Sequence, residues 1–132
     1  MKTNHKLTLA LLAGISIGVV GAKAIHAQQA KVPPAYVISE VDVIEDMPLL
    51  QKYGAKVTDT LAPFNHRILV RGGKTQAVEG EPPKGIAVIA FDSAEKAREW
   101  YDSPAYQAIK PLRQNSTKGR LFIVEGEGVV PE

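Results

Sequence analysis

Few residues of this chain are equipped for chemistry, and their spacing limits what that chemistry is. There is no cysteine, and of three histidines only His66 lies beyond the first thirty positions. An imidazole titrates near neutrality, so His66 is a candidate general base; the plain alternative is an exposed histidine at the start of a strand. Glu40, on the polar side of an alternating run, is a second candidate for moving a proton. Arg71 closes another alternating run, beside Gly72 and Gly73, which let a ligand approach the backbone closely. It reads either as a cationic anchor for a carboxylate or as the structural partner of Glu40 or Asp42. The segment "WYDSPAYQAIKPLRQ" adds Trp100, Tyr106 and Arg113 as candidate ligand contacts. Ala97, Trp100 and Tyr101 also fall at helical spacing, and such a stripe commonly docks a helix on a sheet.

Several chemistries have too few residues. One histidine without cysteine does not build a zinc site of the usual nitrogen and sulfur kind. No GxSxG turn accompanies the serines. "RGGKT" (71–75) resembles the end of a phosphate-binding loop, but Ile68 occupies the position of the first glycine, and the run leads toward a hairpin. The sequence therefore calls for no cofactor and no metal.

The N-terminus reads as an address. "MKTNHK" is a short basic leader, "LTLALLAGISIGVVGA" is apolar and uncharged, and "KAIHAQQA" supplies small residues. That order describes a secretory signal peptide over 1–27, with cleavage after Ala27 favoured over Ala24 and a retained anchor as the alternative. Cleavage removes three of the 16 basic residues and none of the 14 acidic ones, leaving a near-neutral domain. No clustered basic face points to nucleic acid. The expected location is periplasmic or secreted, with no membrane attachment after cleavage. The remaining hundred or so residues, 45% apolar over the whole chain, suffice for one domain folded without disulfides.

These candidates must be held by elements of the right period. Residues 28–34, with Pro33 and Pro34, read as a tether. "AYVISEVDV" (35–43) alternates as a strand. "EDMPLLQKYGAKVTDTL" switches to helical period, with Asp46 as N-cap, Pro48 in the first turn, and Met47, Leu50, Tyr53, Val57 and Leu61 as one stripe. A strand over 67–71 follows, and after a bend at Gly72-Gly73 "KTQAVEG" is expected to continue its far arm. "EPPKG" makes the hairpin connection, and "IAVIAF" (86–91) reads as a central strand covered on both faces. Asp92, with Glu95 three residues on, is the expected cap of a helix over 93–101. Ser103-Pro104 starts a second helix disturbed at Pro111, "RLFIVEG" (120–126) is the last strand, and 127–132 form a tail. The order β-α-β-β-α-β predicts a ferredoxin-like α+β fold, a four-stranded antiparallel sheet with helices on one face. Its bare face predicts a homodimer with facing sheets.

The combination "ILVRGGKTQAVEG", "FDSAEKAREWYDSPAYQAIKPLR" and "FIVEG" resembles the family called domain of unknown function 1330, across residues 35–126. The resemblance implies a ferredoxin-like fold within the dimeric α+β barrel superfamily. That superfamily includes monooxygenases using neither metal nor flavin, lactone isomerases and haem proteins of the chlorite dismutase kind. The resemblance assigns no reaction. Asn65-His66 stands where a glycine pair is often seen, which weakens a shared role for His66. Two functional expectations follow. One is an exported barrel that binds or transforms a small anionic organic molecule between sheet and helices, with Arg71 as anchor. The other is a non-catalytic dimeric interaction module.

Overall fold

The first strand, β1 (Ala35–Ile44), carries Ala35 and Val37 buried on one side and Tyr36, Ile38 and Glu40 on the other. The computed structural model describes residues 32–128; the expected signal peptide and most of the tether lie outside the described residues. Helix α1 (Met47–Leu61) begins as its sequence dictates, with the Asp46 carboxylate accepting from Leu49 N at 2.9 Å. Its apolar stripe is graded: Leu61 is fully buried, Tyr53 and Val57 half-buried, and Met47 47% exposed where the helix outruns its support.

β2 (His66–Arg71) and β3 (Gly85–Phe91) pair antiparallel, with an irregularity between Ile68 and Val70 that sets Leu69 outward. The expected strand continuation through 74–80 is not formed. Gly72 adopts φ +60°, a left-handed turn that suits glycine, and its N–H donates to Ile86 O at 3.0 Å. That turn takes the chain off the ladder, and residues 72–84 form an exposed connection instead.

Helix α2 (Ala94–Asp102) is capped by Ser93, whose hydroxyl accepts from Lys96 N at 3.2 Å. The expected cap, Asp92, instead accepts from Asn65 Nδ2 at 3.0 Å. Helix α3 (Pro104–Gln114) starts at once, with Ser103 as its cap and Pro111 tolerated within it. β4 (Thr117–Glu125) is the last strand, and it begins three residues earlier than the apolar pattern announces.

The sheet order is β2–β3–β1–β4, antiparallel throughout. One face meets the helices: Val37, Ile89, Phe91, Ala97, Trp100, Tyr106 and Leu61 form the buried cluster there. The other face presents Tyr36, Ile38, Val88, Phe122 and Val124, brought side by side by the strand register. β3 is therefore central but covered on one face alone; of its residues only Ile89 and Phe91 are buried. Near the end of β1, Gly119 passes so close that a Cβ there would overlap the Glu40 carbonyl oxygen.

Candidate functional site

Beneath α1 the sheet leaves a hollow. Ser39 on β1 stands opposite Ala87 on β3, two small side chains flanked by the larger Val37 and Ile89. The roof, Tyr53, Val57 and Leu61, comes from successive turns of α1 and does not reach this part of the floor. The result is a cavity of about 80 Å³, walled further by Ile68, Val70, Arg71, Trp100 and Leu121. It is mainly apolar, with Ser39, Tyr53 and Arg71 among its lining residues. The cavity is smaller than a site enclosing a whole drug-sized ligand. It suits a few heavy atoms of a molecule whose remainder stays at the exposed Arg71 end.

Arg71 is not in the ion pair that its sequence context offers. Arg120 takes both carboxylates, pairing with Glu40 and holding Asp42 at 2.9 Å. Those bonds, that to Glu40 first, hold the Arg120 guanidinium above its ordinary pKa. Arg71 donates to Thr58 Oγ1 at 2.7 Å, and among the described residues no carboxylate neutralises it. A neutral hydroxyl fixes the direction of the side chain and leaves its charge uncompensated.

Behind the roof lies a buried aromatic group. Trp100 is 1% exposed; its indole N–H donates to Thr60 Oγ1 at 3.0 Å, and Thr60 passes its own proton to Val57 O at 2.6 Å. The rings of Trp100 and Tyr106 lie 4.2 Å apart, and those of Trp100 and Phe91 5.7 Å apart. Tyr106 is fully buried, with its hydroxyl 3.2 Å from that of Tyr53 and 3.2 Å from Arg113 Nε. Burial, and then the adjacent Tyr106 hydroxyl, push the Tyr53 phenol well above its ordinary pKa; Arg113 opposes this without prevailing. Tyr53 is thus a neutral hydrogen-bond donor at any physiological pH.

The structure brings some of the sequence candidates together and separates others. Arg71 and Trp100 share the cavity wall. Tyr106 lies one residue behind it and touches the lining through Tyr53. Arg113 faces a separate polar groove of about 410 Å³ formed with Gln114, Thr117 and Lys118. His66 opens β2, its Nδ1 bonded to Phe64 O at 2.8 Å, and does not line the cavity. Glu40 is on the opposite face of the sheet, engaged by Arg120. The expected convergence of His66 or Glu40 with Arg71 is therefore not realised: strand alternation sends Glu40 outward, and His66 enters β2 five residues before Arg71. Tyr53 and Ser39 are the cavity residues that sequence reasoning did not single out. Tyr53 was visible as part of the helical stripe, whereas nothing local marked Ser39 as facing another small residue. Among the described residues no group of three or more His, Asp or Glu side chains is placed to hold a metal.

Antiparallel order β2–β3–β1–β4 with both crossover helices on one face defines the ferredoxin-like α+β class. Within it, the chain belongs to the family described as Domain of unknown function (DUF1330), whose profile matches residues 34–127. Among solved structures, the RPA0582 protein of unknown function from Rhodopseudomonas palustris is similar at 17% identity and TM-score 0.60, with 83% of this chain and 95% of that one covered. SnoaB, a cofactor-independent oxygenase from Streptomyces nogalater, is similar at 8% identity and TM-score 0.53, covering 76% of this chain and 100% of that one. At these identities the likeness establishes the fold. No curated protein matches the chain in sequence.

Proposed function

We propose that the domain binds a small organic anion, its apolar end in the cavity under α1 and its acidic group at Arg71. The carrying observation is an arginine fixed by a neutral hydroxyl, uncompensated by any carboxylate among the described residues, at an apolar hollow. The reading is one of binding, because neither His66 nor Glu40 lies on the cavity to move a proton. SnoaB's oxygenase activity belongs to a distant fold neighbour and supplies no residue here. The test is native mass spectrometry of the purified protein, followed by calorimetry of any retained acid against Arg71→Ala. Binding should weaken at least tenfold, the worth of one charge-assisted hydrogen bond. Unchanged affinity rejects the anchor.

A homodimer with facing sheets is part of the same proposal. Its support is the apolar open face, where Phe122 and Val124 are 39% and 42% exposed beside half-buried Ile38 and Val88. Export is proposed from the basic leader, apolar run and small-residue site of 1–27. N-terminal sequencing of the periplasmic form tests it, with Gln28 as the expected first residue and Met1 the result that rejects it.

A further inference from the structure

Residues 72–84 are tied to the domain by backbone hydrogen bonds only at their two ends. Gly72 N–H donates to Ile86 O at 3.0 Å and Lys84 N–H to Val41 O at 2.7 Å, and no backbone hydrogen bond engages the residues between them. A 4.0 Å ion pair of the exposed Glu81 with Lys84 joins the connection to itself. Pro82 and Pro83 are half-buried and stiffen the second end, whereas residues 72–81 are exposed throughout. Gly72 and Gly80, at φ +60° and +72°, bound the free stretch, and each has open space where a Cβ would stand. The backbone is thus able to turn at both points without collision. A connection of this length without secondary structure is uncommon in a compact domain, and a binding role is a usual reason for one.

The free stretch starts at the exposed end of the cavity. Arg71 lines that cavity and reaches from β2 to Thr58 on α1, and Gly72 follows it directly. Lys74 comes three residues after Arg71, within about 11 Å along even a fully extended chain. Among the described residues no carboxylate is paired with it. Val78, four residues further, is 89% exposed, more than any other large apolar side chain described. One untied stretch therefore carries a free cation and a bare apolar group, beside a cavity too small to enclose a whole ligand.

We infer that residues 73–81 close over the occupied cavity as a strap, with Lys74 as a second cation on the acid and Val78 covering the part of the ligand left outside. The inference rests on the proposed anion site. A carboxylate has two oxygens, so it accepts from Arg71 and Lys74 together. Without that acid the two like charges repel, and Lys74 has no reason to approach Arg71. With it, closure removes Val78 and ligand carbon from water. Occupancy thus favours the closed state by contacts that the open state lacks.

Hydrogen exchange on the full chain, with and without pentanoate, reads the strap directly. Amides of 73–81 should exchange without protection in the free protein, and at least about fivefold more slowly at saturating pentanoate. By calorimetry, Lys74→Ala should weaken pentanoate about threefold, the scale of an exposed ion pair, and Lys74→Arg should restore it. Val78→Ser should weaken it by about the same factor and reduce the protection. Both positions are exposed, so these variants keep the fold. If Arg71→Ala releases pentanoate while 73–81 stay unprotected, or while Lys74→Ala binds as wild type does, the strap is overturned and the anion site stands. Protection that follows protein concentration instead of pentanoate assigns the stretch to a second copy of the chain and likewise overturns the strap. If pentanoate does not bind, both fall.

Discussion

Replacing Ala87 by Val tests whether the hollow under α1 is truly empty space held open at the expense of stability. Ala87 sits on the helix-facing side of β3, in register with Ser39 on β1 and Arg71 on β2. Val adds two carbons facing a cavity of about 80 Å³, so they are accommodated without displacing a neighbour. At about 0.8 kcal/mol per buried methylene, full burial contributes about 1.6 kcal/mol. Incomplete burial brings the expected gain to about 1 kcal/mol, and a β-branched side chain is at home in a strand. For a domain of this size that raises Tm by roughly 4–8 °C. Thermal melts followed by circular dichroism give the first readout, and calorimetry with pentanoate the second, where binding should fall at least tenfold. The coupling of gain and loss is what matters: a space kept for a ligand stabilises the fold when filled and loses its occupant. A Tm that drops would mean that the side chain overpacks, a cost of about 1–3 kcal/mol. Raised stability with undiminished binding would place the ligand elsewhere. Either result refutes the reasoning.

Further expectations follow from the same geometry. Gly119→Ala pushes a methyl into the Glu40 carbonyl oxygen and should cost about 2 kcal/mol or more in urea unfolding, whereas Gly54→Ala, mid-helix in open space, should stabilise by about 0.5–1 kcal/mol. Ser93→Ala should cost about 1 kcal/mol, and Asp92→Ala clearly less, because the serine makes the cap. Tyr53 has a folded-state pKa above its unfolded value near 10, so the folded protein retains a proton that the unfolded chain loses. Its contribution is complete below about pH 10 and declines as pH rises, by up to about 1.4 kcal/mol per unit; Tyr53→Phe should flatten that alkaline slope in melts. On the open face, Phe122→Asp should convert the proposed dimer to a folded monomer by light scattering, and an unchanged mass would exclude that face as the interface.

The order of elements was legible because each announces itself locally. β1 alternates, α1 carries a stripe from Met47 to Leu61, and Ser103-Pro104 can start a helix but hardly continue one. The misplaced helix cap and the unmade Arg71 pairing share a cause, competition between neighbours of similar chemistry. Asp92 and Ser93 are both sound caps, and the choice turned on Asn65, twenty-seven residues away, which occupies the aspartate. Likewise Arg71 and Arg120 were equivalent suitors for Glu40 and Asp42 until the strand order put β4, rather than β2, beside β1. The site was legible only in its parts. Arg71 and Trp100 stood out by type, but the hollow between them depends on Ser39 meeting Ala87 across a register that no local pattern specifies.

Ser103 serves two helices at once. Its hydroxyl donates to Trp100 O at 2.6 Å, closing α2, and accepts from Tyr106 N at 3.3 Å, opening α3. With no spacer between them, the helices cannot fray independently at that end, because loosening one removes the terminus of the other. Amide protection should therefore be lost across 94–114 as one cooperative unit rather than helix by helix. Trp100 and Tyr106, the aromatic rings behind the cavity, then loosen together with that unit rather than one at a time.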